Sequence, residues 1–309
     1  MNQPKTPARG MGGSVISFPD RGPWGDSKWR GNASGHVYRS LFEQLRPQVF
    51  VDPMVGSGTS VEVAQEMGIE AYGLDLHQGF NAVTMDILDK VGKHCDLVVS
   101  HPPYGGMIKY TGPGGMWGEK PHPGDLSHCV DDAEFNEKMQ AVLLNQRRAT
   151  RPGGYYGTLI GDWRRNGVYT SYQAELIARM PSNELAAVII KTQHNCVSDL
   201  KAYGAMKLPR ILHEYLLIWE KRSVSAVVLL NSMVTEQSQR VSGTWKNIVR
   251  CVLQALGGKA TLDKLYAAIA AAAPERLATN NAWREKCRQT LQTHKDIFRN
   301  EARGIWALA

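Results

Sequence analysis

Cysteine is scarce and unpaired in this chain: Cys95, Cys129, Cys196, Cys251 and Cys287 are odd in number, widely spaced, and include no Cys-x-x-Cys. That pattern excludes a disulfide framework and a zinc ribbon, predicts no metal centre, and fits a reducing cytoplasmic setting. No apolar run approaches the roughly 20 residues needed to cross a bilayer, so no membrane partner is expected. Residues 1–20 are polar and Gly/Pro-rich, lack the apolar core of a secretion signal, and read as a flexible arm. No internal repeat is present, which sets solenoids and propellers aside. Acid is in deficit: 36 Lys and Arg against 29 Asp and Glu leave a net charge of +7. The imbalance is concentrated between Thr244 and Ala309, where eleven Lys and Arg face five Asp and Glu. A polyanionic partner fits that distribution.

What is present suffices for a large domain and a small one, with 43% of 309 residues apolar. Val49 to Asp52 is a short apolar run closed by Pro and Gly, and a helical pattern follows from Thr59 to Met67. Ile69 to Leu74 and Asp96 to Ser100 read as further strands. Helix is expected over Ala133 to Ala149. Gly154 to Asp162, Glu184 to Thr192 and His213 to Glu220 read as strands. This alternation implies an α/β domain over 21–220 with a parallel sheet. Residues 105–128, rich in Gly and Pro with aromatics, form a long loop of the kind that is often functional. Residues 221–243 read as a linker. Beyond it, Trp245 to Leu256, Thr261 to Ala273 and Ala282 to Thr293 read as short helices, with Thr261 a candidate cap, and Ile297 to Leu308 as a hairpin. Three helices and a hairpin make a winged-helix pattern over 244–309.

Chemistry concentrates in two places. In VFVDPMVGSGTSVEVA, Gly56 and Gly58 let the backbone turn tightly and approach a ligand, and the helix from Thr59 offers free N–H groups. Asp75 ends the next strand, 17 residues past Gly58. In dinucleotide folds an acid near that spacing holds ribose hydroxyls. The second place is Ser100-His101-Pro102-Pro103-Tyr104, closing a buried strand about 45 residues after Gly56. Either motif alone would also suit an ordinary strand-ending turn.

Together, Asp52-Pro53-x-x-Gly56-Ser57-Gly58-Thr59 and the Pro-Pro-Tyr string resemble the DNA amino-methyltransferases, which make N6-methyladenine or N4-methylcytosine. The resemblance spans roughly residues 20–220, and its motif order is that of the unpermuted group. It implies a Rossmann-like S-adenosyl-L-methionine-dependent fold. Asp52, Pro53 and the glycine loop through Thr59 would hold the methionine part of the cofactor, and Asp75 the ribose. Asp86 falls where that family often places an acid near the adenine, though it equally suits a solvated loop. The segment Trp29-Arg30-Gly31-Asn32-Ala33-Ser34-Gly35 resembles the family's amino-terminal cofactor motif, with Gly31, Asn32 and Ser34 as contacts. Ser34 also suits a helix cap.

The catalytic logic follows from amine chemistry. A ring-conjugated exocyclic amine is a poor nucleophile, and its lone pair sharpens when acceptors hold its protons. The first residue of the motif and a proline carbonyl supply those acceptors, and Pro102 and Pro103 fix the backbone. Tyr104 offers a stacking face for an extruded base. His101 departs from the usual Asp, Asn or Ser; neutral imidazole retains one acceptor nitrogen, and Ser100 is an alternative.

The expectation is therefore a site-specific methyltransferase for duplex DNA, at adenine N6, of the restriction-modification kind. Cytosine N4, RNA, and a catalytically inactive DNA-binding regulator are the rivals. In the tail, Trp283, Cys287 and Leu291 share a core face. Arg284 and Arg288 lie beside them, where they suit phosphates or bases, or a solvated surface.

Overall fold

In the computed structural model, which describes residues 11–194, 207–222, 245–272, 277 and 280–309, seven strands form one central sheet. They are β1 (Val15–Ile16), β2 (Val49–Asp52), β3 (Glu70–Gly73), β4 (Cys95–Ser100), β5 (Thr150–Ile160), β8 (Leu185–Thr192) and β9 (His213–Glu220), in the order β1-β8-β9-β5-β4-β2-β3. Strands β6 (Trp163–Arg165) and β7 (Val168–Thr170) pair with each other as a separate hairpin.

Helices cover both faces of the sheet. Along β2 and β4, Phe50, Leu97 and Val99 join one core with α1 (Gly35–Leu45) and α2 (Thr59–Glu66). Val51 and Val98 join the other core with α3 (Ile87–Val91), α4 (Asp132–Ala149) and α5 (Tyr172–Arg179). Side chains alternate across a strand, so strands buried on both faces must read as unbroken apolar runs, as VFV and LVV do.

Strands β2, β3, β4 and β5 are mutually parallel, as expected, but β9 runs antiparallel to both β5 and β8. Adjacent parallel strands need a crossover connection that carries the chain back to the same end of the sheet, whereas the antiparallel β8–β9 pair enters and leaves at the same end. Residues 195–206, with Cys196, lie outside the described residues. The expected amino-terminal arm is also corrected. Residues 1–10 lie outside the described residues, but β1 is an edge strand pairing Val15 with Ile190, and Ile16 is buried.

The tail holds α6 (Trp245–Ala255), β10 (Lys259–Thr261), α7 (Leu262–Ala272), α8 (Trp283–Thr293), β11 (Phe298–Ala302) and β12 (Ile305–Leu308). The hairpin forms a three-stranded antiparallel sheet with β10 over a core of Val249, Leu253, Leu265, Ile269, Cys287 and Leu291. Thr261 Oγ1 accepts from Lys264 N–H at 3.3 Å at the start of α7. Ala273, and residues 223–243 of the expected linker, lie outside the described residues. The tail docks on the main body through α6. Asn247 Nδ2 donates to Gln140 Oε1 at 3.1 Å, and buried Arg250 stands 3.7 Å from Glu137 on α4. No described helix is long and apolar enough to cross a membrane.

Candidate functional site

The loop between β2 and α2 is held open by its own backbone. Gly56 and Gly58 have φ of +51° and +91°, in the left-handed region that L side chains avoid. A Cβ on Gly56 would also lie 3.0 Å from Trp29 Nε1. Two buried carboxylates hold the loop. Asp75 Oδ2 accepts from Gly56 N–H at 2.8 Å, while its other oxygen meets His77 Nδ1 at 2.7 Å. Asp52 accepts from Met54 N–H at 2.9 Å and from Ser60 Oγ–H at 2.6 Å. Burial, opposed by these two hydrogen bonds and reinforced by Asp75, raises Asp52 from 3.8 to about 7.

The amino-terminal segment folds against this loop. Asn32 Nδ2 donates to Ser57 Oγ at 2.9 Å and to Asp26 O, and Asn32 Oδ1 accepts from Thr59 Oγ1–H at 2.7 Å. Gly31, with φ +79°, leaves room for the Tyr110 hydroxyl, which a Cβ would meet at 2.5 Å. Ser34 is placed elsewhere: it caps α1 by accepting from His36 N–H and donates to Asp20 O at 2.8 Å, outside the cleft.

An open cleft brings the two motifs together. Asp52, Pro53, Gly56, Thr59 and Asp75 line it, and so do His101 and Pro103. Gly31 and Asn32 also line it. Asp86 does not. It caps α3 and pairs with Arg148 Nε at 2.6 Å, while Asn81, Ala82 and Val83 occupy the wall near its expected place.

The loop 105–128 forms a roof over the cleft, to which it contributes Tyr110, Trp117, Asp125 and Leu126. Tyr110 and Trp117 pack together at 5.1 Å between ring centroids, and Trp117 lies 5.2 Å from His77 and 6.1 Å from Trp29. Asp125 organises the loop by accepting from both N–H and Oγ1–H of Thr111. The indole N–H of Trp117 is buried without a partner.

Ser100 is fully buried and its hydroxyl donates to Thr158 Oγ1 at 3.2 Å, so it faces the sheet interior and cannot replace His101. Pro102 is buried; Pro103 reaches the cleft. His101 Nε2 and the Tyr104 hydroxyl are 2.8 Å apart. Burial lowers His101 to about 4, with Glu214 opposing and Lys191 assisting, so the ring is neutral at ordinary pH. Tyr104 does not line the cleft; its ring lies where a Cβ on Gly161 would stand, 2.5 Å away. An incoming amine must displace its hydroxyl if it is to use Nε2.

Sequence reasoning missed the buried pair behind this motif. Lys191 Nζ meets Glu214 Oε2 at 2.6 Å across β8 and β9, and Gln193 donates to the other oxygen at 2.9 Å. Burial alone would raise Glu214, but Lys191 and then His101 hold it near 2. A glutamate entering the apolar run YLLIW was the available signal. In the tail, Trp283 is partly buried and Cys287 and Leu291 are fully buried. Arg284 and Arg288 are exposed; Arg284 lies 5.2 Å from the Trp283 ring and Arg288 pairs with Glu285 at 3.0 Å.

No protein-family model matches the sequence, and no match was found among curated proteins. Similar solved structures include TrmN from Thermus thermophilus, 15% identical with a TM-score of 0.38, covering 62% of this chain and 50% of that one. A proposed DNA modification methylase, also from Thermus thermophilus, is 16% identical with a TM-score of 0.29, covering 66% and 73%. A rRNA methylase from Streptococcus thermophilus is 11% identical with a TM-score of 0.31, covering 61% and 96%. The chain thus spans half the length of TrmN.

Proposed function

We propose that this chain is an S-adenosyl-L-methionine-dependent methyltransferase acting on the exocyclic amine of a base in duplex DNA, adenine N6 foremost. The observation that carries the reading is the shared cleft, lined both by Asp52, Gly56 and Asp75 and by His101 and Pro103. Its acids suit a cationic cofactor, its aromatic roof an adenine, and the unpartnered Trp117 N–H a further acceptor.

When bound, the cofactor supplies a methyl group activated on a sulfonium. His101, kept neutral, presents Nε2 as an acceptor for one amine proton once the amine displaces the Tyr104 hydroxyl, and the prolines fix the backbone of the strand end. An extruded base is required because the amine is inaccessible within a duplex. The tail is assigned as a winged-helix-like DNA-binding unit, with Arg284 and Arg288 as contacts.

The test is incubation of unmethylated plasmid DNA with the protein and methyl-labelled cofactor, followed by nucleoside mass analysis. N6-methyladenine is the expected product. N4-methylcytosine would move the target base, and label entering only RNA would move the substrate. Cofactor and DNA binding without any methylated nucleoside would identify an inactive regulator.

A further inference from the structure

Strand β5 lies parallel to β4, with Ser100 opposite Thr158, so both chains leave the sheet at the same edge. One continues as His101-Pro-Pro-Tyr and the other as Gly161-Asp162 and the β6–β7 hairpin. Strand β9 is antiparallel to β5, with Ile160 opposite Tyr215, so residues 207–212 approach β9 at that same edge. Arg164 Nη1 donates to Pro209 O at 2.9 Å and ties the hairpin to this segment. A Cβ on Gly105, the residue after the motif, would lie 3.7 Å from the Trp163 ring. Hairpin and segment therefore make one ridge beside the catalytic motif.

Its surface is unusual in composition. Of the eight large hydrophobic side chains exposed among the described residues, four are here: Val168, Tyr169, Leu208 and Leu212. Cations stand among them. Arg165 is 54% exposed and lies 4.9 Å from the Trp163 ring, and Lys207 is exposed. Of the acids, Asp162 is buried and turned inward, accepting from the Tyr169 hydroxyl at 2.8 Å, while Asp132 lies 3.7 Å from Arg165. The hairpin turns through Asn166 and Gly167, at φ +51° and +80°, the left-handed turn that suits strand twist. Cations beside exposed apolar and aromatic side chains match a nucleic acid whose phosphates and unstacked bases are both offered.

We propose that this ridge is a second DNA-contacting surface, distinct from the tail, which grips the backbone flanking the extruded base while Val168 and Tyr169 face the disrupted stack. The inference rests on the reading of the chain as a DNA base methyltransferase. It accounts for an apolar hairpin tip 67% exposed at Val168, which the cleft alone does not require.

The test compares full-length protein with the variants R165E/K207E and V168D, leaving Arg164 in place because it ties the ridge together. Duplex binding is followed by fluorescence anisotropy across salt concentrations, and S-adenosylmethionine binding by calorimetry. Both variants should bind the cofactor as the parent does. R165E/K207E should bind duplex at least about tenfold more weakly, with a salt slope shallower by about 1–2, since each phosphate contact contributes about 0.9. V168D should lower methylation of duplex more than of a substrate with a mismatched target base, which is easier to extrude. Unchanged duplex affinity and slope in R165E/K207E, with the parent methylating DNA, would overturn the ridge alone. A parent that neither binds nor methylates DNA would overturn the functional reading and the ridge with it. Equal weakening of R165E/K207E on RNA, where only RNA is methylated by the parent, would overturn the choice of DNA.

Discussion

At Asp52 the side chain exchanges bulk water for two hydrogen bonds in a site already holding Asp75, and the exchange is unfavourable for its charge. Its ordinary value of 3.8 rises to about 7 in the fold. Between those values the folded chain holds a proton that the unfolded chain has lost. Stability of the ligand-free protein therefore declines as pH rises across that window and levels off above about 7. A cationic cofactor reverses the preference, because it favours the ionised carboxylate. Its dissociation constant should therefore rise as pH falls below about 7, by up to about tenfold per pH unit, and the slope should vanish in D52N; calorimetry over pH 5.5–8.5 reads both. His101 titrates near 4, well below the value of about 7 for Asp52, in place of the 6.5 of an unperturbed imidazole. The acid limb of methylation should follow Asp52 and not His101. H101A should lose about 100-fold or more in rate while keeping cofactor affinity and its pH slope, and H101N should recover part of the rate. A rate-limiting titration near 6.5 that disappears in H101A would contradict this assignment.

The glycine loop is an element whose function depends on a neighbour far away in sequence. Gly56 needs a left-handed backbone, and Trp29 stands against the face where a Cβ would project. Gly58 needs the same handedness, but a Cβ there would meet only Glu62, at 3.7 Å. G56V should therefore abolish cofactor binding in a protein that still melts cooperatively. G58A should cost about 1–2 kcal/mol of stability but retain measurable binding. Equal behaviour of the two variants would mean that strain alone matters and that Trp29 is not part of the site. The loop, Asp52, Asp75 and the Pro-Pro-Tyr turn were legible because local spacing places each at a strand end. The choice between the two readings of Asp86 was not legible, because its partner, Arg148, is 62 residues away and no spacing rule reports it. The direction of β9 was hidden because alternation records which face a side chain takes and nothing about which way the strand runs. The β6–β7 hairpin carried an Asn-Gly signal, but its three-residue strands are too short for periodicity to register.

Over the whole molecule, the charge excess of the tail is not all available to a partner. Arg250 is only 1% exposed and faces Glu137 on α4, as does Lys246 at 3.5 Å. Lys259 and Arg299 both pair with Glu301. Helix α6 therefore serves two cores: Val249 and Leu253 belong to the tail and Cys251 to the main body. Removing residues 245–309 would strip a packed face from α4, so lost DNA affinity in such a truncation would not separate binding from folding. Point changes separate them. E137A leaves Arg250 buried without that carboxylate and should destabilise the protein by about 3–5 kcal/mol, with no direct effect on DNA contacts. R284S/R288S removes two exposed cations from α8, where Cys287 and Leu291 keep the helix seated. It should leave the melting temperature within a degree or two, weaken duplex binding, and reduce the salt slope by about 2. Thermal melts and anisotropy on the two variants should thus move in opposite measurements. If R284S/R288S binds duplex as tightly as the parent at every salt concentration, the α8 surface is only a solvated face and the tail contributes to the body by packing.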